Sequence, residues 1–320
     1  MSSVDSTAKA PPSGAADNPT VTISGLRPGQ EVNGIFACSR KDRLFTRNGS
    51  PYLALELRDR SGSIAARAFQ GADMLSGRFE RGDLVRVSGR VERFRDQPVL
   101  ELVDIARVAD SGGPDAGAFD PASFLPTAYR DLDELDGFLE HLAGEVGDRR
   151  FAGLLDGLLG DPELRAAWRR APCTRAGHHA YLGGLLEHTV AVATLALEVC
   201  QLHVRLSQDL LLTAAIVHDL GRTREFTYGA EIGISDEGRL LGHLVIGERM
   251  ISERAGMLDD RRRLELLHCV LCHHGPAGAP GGRFASAEAL TLHRLNALDA
   301  SVKGAIEHGL ALDPAPRSAA

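Results

Sequence analysis

The sequence predicts a multidomain protein, a small all-β barrel followed by an all-α helical bundle, and three features lead there. Residues 21–108 alternate short β-rich runs with Gly, Asp and Arg turns, the pattern of a small antiparallel barrel. From Tyr129 onward the apolar residues recur with a 3.6-residue period, as in amphipathic helices. Between them, residues 110–123 read DSGGPDAGAFDPAS, a stretch without periodicity that suits a linker. A chain of 320 residues with 43% hydrophobic content is long and apolar enough for two cores.

The expected domain bounds are a disordered tail at 1–20, the barrel at 21–109, a linker at 110–128, the bundle at 129–310 and a frayed end at 311–320. The opening MSSVDSTAKAPPSGAADNPT lacks a basic start followed by an apolar core, so no secretory signal is expected. The protein is therefore expected to be cytoplasmic, with its five cysteines reduced. No run of about 18 apolar residues suggests a membrane partner.

Within the barrel, strands are expected at 34–39, 52–58, 63–68, 83–92 and 98–103, with a helical piece at 71–79. A single helix between the third and fourth of five strands is the arrangement of an OB-fold. Its first long loop and flanks carry Lys41, Arg43, Phe45, Arg47 and Tyr52, cations and aromatics of the kind that hold single-stranded nucleic acid. The competing reading makes Phe45 and Tyr52 barrel core and the arginines a solvated face. The net charge of −7 is unevenly spread: residues 21–110 hold 15 basic against 12 acidic residues. A locally basic groove is all that phosphate binding needs.

Helices are expected at 132–144, 149–160, 163–170, 179–202, 207–220, 242–254, 261–274 and 285–310. Eleven of the twelve histidines follow residue 170. His188 is in register with Leu185, Val192 and Leu195, and His218 with Leu211 and Ala214, so both lie on buried stripes. Asp299 follows Leu292 and Leu295 by whole helical turns and also points inward. Burying such groups unpaired is costly, and several helices aiming His and Asp at one interior is how bundles build metal sites. A lone histidine would more simply be a satisfied core residue; the adjacent pair His218-Asp219, with further inward His and Asp, favours a metal. The motif Cys269-x-x-Cys272-His273 has the spacing of c-type haem attachment. Inside a helical pattern it reads as two small packing residues instead.

The segments HHAYLGGLLEHT, HDLGRTREF, GRLLGH, HHG and EALTLHRLNALDA, in that order, strongly resemble an HD-domain phosphohydrolase. Within that superfamily the chain is most similar to HD-domain 3′→5′ exoribonucleases of the YhaM type, which carry an N-terminal OB-fold. KDRLFTRNGSPYLALELRDRSGSI resembles the OB segment of that family, and the likeness covers nearly all of residues 21–308. It implies that His188, His218, Asp219 and Asp299 are metal ligands. It further implies that His243 and one of the HHG pair, His273 before His274, complete a second position bridged by Asp219. His179 and Arg222 would grip the scissile phosphate beside the catalytic Asp219, and His274 would touch substrate or support the ligands. Glu187, next to His188, reads either as a support of that ligand or as a solvent-facing or salt-bridged acid. Arg222 stands where the family usually has Lys, and the two are not equivalent at a tight site. His268 lies about 140° around the helix from His273, so both cannot face one centre.

Mixed imidazole and carboxylate donors favour Mn²⁺, Co²⁺ or Fe²⁺, as one or two ions, over Mg²⁺. Such ions neutralise a phosphodiester and acidify water. The expected function is a metal-dependent 3′→5′ exoribonuclease, a hydrolase that shortens single-stranded RNA to 5′-mononucleotides. Single-stranded DNA stays open as a substrate, since nothing identified reads a 2′-hydroxyl, and a homo-oligomer stays open as well. The alternatives are a phosphohydrolase of small or cyclic nucleotides and a non-catalytic nucleic-acid-binding protein.

Overall fold

The computed structural model describes residues 21–108, 121–278 and 280–309. The tail expected at 1–20, most of the linker at 110–128 and the end at 311–320 lie outside these residues.

Five strands close a barrel in the order β1-β2-β3-β5-β4: β1 (Glu31–Phe45), β2 (Pro51–Asp59), β3 (Gly62–Ala68), β4 (Leu84–Phe94) and β5 (Gln97–Arg107). The β3–β5 pair is parallel and the other pairs are antiparallel. Strict alternation turns Leu53, Leu55 and Leu57 of β2 into the barrel, the period-2 geometry that makes one face core. The short helix α1 (Ala72–Ser76) follows β3 and buries Leu75. Where β4 crosses β5, a Cβ on Gly89 would stand 2.2 Å from the Glu101 carbonyl oxygen, so only glycine fits.

The observed β1 is much longer than the expected strand at 34–39. A register shift between Cys38 and Arg40 bends it, and it then pairs with β2 as far as Phe45. Residues 40–45, expected in a loop, are therefore one arm of a hairpin. Their polarity hid the strand because this arm projects beyond the core and has little to bury.

Helices α2 (Leu132–Gly144), α3 (Arg149–Leu159) and α4 (Pro162–Arg170) open the second domain. The side chains of Asp131, Asp148 and Asp161 accept backbone N–H groups of their first turns, which fixes each start. At the centre lie α5 (Gly184–Leu202) and α6 (Gln208–Val217), and every residue from Leu210 to Val217 is buried. Packed among α2, α4, α6 and a C-terminal helix, α5 is so apolar that its length and composition match a membrane span. The sequence reading saw no such run; the match reflects a central core helix. The remaining helices are α7 (Arg222–Glu225), α8 (Asp236–Arg254), α9 (Asp260–Cys272) and α10 (Ala287–His308).

Three departures matter for the site. The helix expected from residue 179 begins only at Gly184, and His179 is left-handed at φ 51°. The helix expected at 242–254 starts earlier and is broken at Gly242, φ 70° and ψ 161°. A hairpin of β6 (Phe226–Tyr228) and β7 (Ile232–Ile234) follows α7 and was not expected, its strands being too short to show alternation. The barrel meets this hairpin. Arg58 Nη2 donates to the Ala230 carbonyl, and Arg81 Nε lies 3.0 Å from Glu231 Oε1.

Candidate metal centre

Helix ends build the centre. His218 is the C-cap of α6 with Asp219 next to it, and His273 is the C-cap of α9, followed by His274. His188 comes from the first turns of α5, and His243 follows the break in α8. Beside the break α7 and α8 touch: a Cβ on Gly221 would stand 2.1 Å from the His243 carbonyl oxygen and 2.6 Å from Gly247 N.

The imidazoles are oriented from behind. His218 Nδ1 lies 2.8 Å from the Ala215 carbonyl and His273 Nδ1 2.6 Å from that of Val270. A carbonyl only accepts, so each Nδ1 carries the proton and each Nε2 presents a lone pair. His188 Nδ1 donates to Asp299 (2.6 Å), and His243 Nδ1 faces Glu225 Oε1 (3.3 Å). All four Nε2 atoms then converge on Asp219. His218 and His188 stand 3.7 and 3.9 Å from its Oδ2, while His273 and His243 stand 3.4 and 3.5 Å from its Oδ1.

This is an arrangement of acceptors facing acceptors. The Nε2 atoms of His188 and His218 are 3.1 Å apart, and that of His243 is 2.9 Å from His274 Nε2. His273 Nε2 is buried without a hydrogen-bond partner. Buried lone pairs without donors are costly, and a cation between them removes the cost. The residues therefore fit divalent ions on both sides of Asp219, each side with nitrogen donors sharing the carboxylate. Burial opposes the charge on Asp219, but Arg222, then His218 and His273, hold it well below the usual carboxylate range. Burial drives His218 strongly toward its neutral, ligating form.

The structure separates the remaining candidates. Asp299 Oδ2 lies against His188 Nδ1 and 3.0 Å from His179 Nε2, and these three residues form a further cluster of potential metal donors beside the atoms around Asp219. His179, expected to grip phosphate, is 1% exposed with both nitrogens engaged: Nε2 by Asp299 and Nδ1 by the Tyr181 hydroxyl at 2.9 Å. Tyr181 donates to Glu187, whose other oxygen holds Lys303 at 2.8 Å. Glu187 thus supports the ligands through a chain ending at Asp299. Arg222 fits between Asp219 (3.3 Å) and Glu225 (2.6 Å). It lines a pocket of about 180 Å³ with His178, Asp219, His273, His274 and Asn296. His268 turns away: its Nε2 accepts the Ala285 N–H and its Nδ1 lies 3.6 Å from Cys272 Sγ.

Reading the sequence missed His178, the member of the 178–179 pair that reaches the pocket. The left-handed residue beside it breaks the helical register from which its direction would have been inferred. It also missed Glu225, which lies in a helix of four residues.

On the barrel, Phe45 is 60% exposed with Arg43 over its ring (4.9 Å), and Arg47 is exposed. Tyr52 stacks on Phe69 with centroids 5.3 Å apart, and Arg67 covers Phe94 at 4.0 Å. The core reading of Phe45 is therefore excluded. Lys41 is the exception to the expected binding set. Its Nζ is held by the Ser76 and Phe79 carbonyls and by Glu80, and so is committed to anchoring α1.

The family model described as HD domain matches residues 185–301, and that of the OB-fold nucleic acid binding domain matches residues 37–105. The chain is an OB-fold barrel joined to an HD domain, a domain that implies divalent-metal binding, and the His/Asp cluster lies within it. It is 28% identical over 278 residues to the 3′-5′ exoribonuclease YhaM of Bacillus subtilis (strain 168), an alignment covering 86% of each chain. The protein of the same name from Bacillus velezensis is 29% identical over 278 residues, again covering 86% of both. That of Shouchella clausii is 27% identical over 281 residues, 86% of this chain and 85% of the other.

Proposed function

We propose that the protein is a metal-dependent 3′→5′ exoribonuclease, in which the barrel holds single-stranded RNA while the 3′ end enters the pocket beside Asp219. The observation that carries this reading is the convergence of four Nε2 lone pairs on the two oxygens of Asp219, within a chain that also presents exposed aromatics under arginines on its barrel. Divalent ions held there supply charge neutralisation for the phosphodiester and make water acidic enough to attack it. The donor set favours Mn²⁺, Co²⁺ or Fe²⁺.

The chain's own residues have separable tasks. His188, His218, Asp219, His243 and His273 are the ligands, with His274 beside His243 completing the Oδ1 side. Asp299 and His179 fix the orientation of His188, and Glu225 fixes that of His243. Arg222 lines the pocket with its guanidinium already aimed by two carboxylates, and is suited to receive a phosphate oxygen there. The exposed barrel aromatics stack bases without reading sequence. RNA is the proposed substrate, with single-stranded DNA as the alternative.

A 5′-labelled oligoribonucleotide with a free or a blocked 3′ end tests this. In Mn²⁺ the free end should give a ladder shortening from the 3′ side, with 5′-mononucleotides released; the blocked end and chelator should give none. Cutting that ignores the block overturns the polarity. Inertness on RNA with hydrolysis of small or cyclic nucleotides overturns the substrate class.

A further inference from the structure

The loop between α4 and α5 brings a thiol to the edge of the centre. Cys173 is buried, and its Sγ lies 3.6 Å from Asp219 Oδ2 and 3.7 Å from His178 Nε2. The loop is closed on itself: Cys173 N–H donates to the His179 carbonyl (3.1 Å) and Thr174 Oγ1 to that of His178 (2.7 Å). The thiol and the imidazole are thus held side by side by the backbone.

Donor atoms of Cys173, His178 and His188 all lie within 4.8 Å of one another. A tetrahedral zinc, with Zn–S about 2.3 Å and Zn–N about 2.0–2.1 Å, places its sulfur and nitrogen ligands about 3.6 Å apart. The 3.7 Å between Cys173 Sγ and His178 Nε2 matches that spacing, while the Cys173 thiol donates to Asp219 Oδ2 at 3.6 Å. Sulfur also changes the preference of the site. Thiolate selects zinc over the oxygen-loving cations, whereas the donors around Asp219 alone are nitrogen and oxygen.

We infer that Cys173, His178 and His188 form a thiolate-containing cation position that takes zinc and, by drawing His188 out of the working centre, switches hydrolysis off. This rests on the reading of that centre given above, because His188 is the shared donor. Binding exchanges one proton for the ion: the S–H bond breaks, the S–metal bond forms, and the proton leaves to solvent.

Co²⁺ titrated into the metal-free full-length chain is the direct probe. A near-ultraviolet thiolate-to-cobalt absorption is expected, and it should vanish in Cys173→Ala. Zn²⁺ should inhibit Mn²⁺-dependent RNA digestion, and Cys173→Ala should need about tenfold more Zn²⁺ or beyond for the same inhibition, while still digesting RNA in Mn²⁺ alone. Should that variant fail to fold, His178→Ala must likewise lose the cobalt band. A cobalt spectrum without the band, a band that survives both substitutions, or unchanged zinc sensitivity overturns the inference. Loss of digestion in Mn²⁺ by the unmodified protein would instead sink the exoribonuclease reading, so the two failures are distinguishable.

Discussion

His179 shows how a residue can govern a metal centre without touching an ion. Buried in a left-handed conformation, it spans Tyr181 and Asp299, and Asp299 in turn holds His188. Outer partners of this kind fix the tautomer and direction of a ligand, and their loss typically costs about 10–100-fold in metal affinity. His179→Ala is expected to raise the Mn²⁺ concentration for half-maximal activity by that factor, with the rate largely recovered at saturating Mn²⁺. His179→Gln, which can still donate to Asp299, should recover part of the affinity. A merely structural residue would lower the melting temperature and leave the Mn²⁺ requirement unmoved. At this scale the sequence was readable where helical register applies. His188 and His218 were placed by the apolar residues on their own stripes, while His243, behind a break in its helix, was reached only through family likeness. Lys41 misled because a lysine consumed by carbonyls looks, in sequence, like one offered to phosphate.

At the scale of elements, the centre depends on α7 lying directly against the break in α8. Gly221 and Gly247 permit that approach: Gly247 lies 3.2 Å from Gly221 N when a Cβ is placed on it. Gly221→Ala would drive its methyl into the His243 carbonyl, and overpacking of this kind costs about 1–3 kcal/mol. A melting temperature lower by several degrees is expected, at roughly 2–4 °C per kcal/mol for a domain of this size, together with weakened metal binding through a displaced His243. Unchanged melting and metal affinity would show that α7 and α8 can part without consequence. The barrel strands and most helices were legible because their apolar periods are long enough to count. The hairpin β6–β7 was not, since three-residue strands leave no period to detect, and the continuation of β1 was hidden by its polar, solvent-facing arm.

At the scale of the whole molecule, two activities are spatially divided. Aromatics under arginines lie on the barrel, and the lone-pair cage lies among α5, α6, α8 and α9. Base stacking on an aromatic is worth about 1–3 kcal/mol. The double variant Phe45→Ala, Phe94→Ala is therefore expected to raise KM for a long single-stranded RNA at least about tenfold while leaving turnover of a dinucleotide unchanged. Equal losses on both substrates would take these rings off the path of RNA. The division has an outcome for how digestion ends. The barrel rests on the β6–β7 hairpin through Arg58 and Arg81, so its stacking surface does not follow a retreating 3′ end. An OB-fold grips about 4–16 nucleotides, and a strand eaten back below that span slips off the rings. Degradation by a clamp fixed to its cutter should leave a short remnant of narrow length, cleared by another enzyme or only slowly by this one.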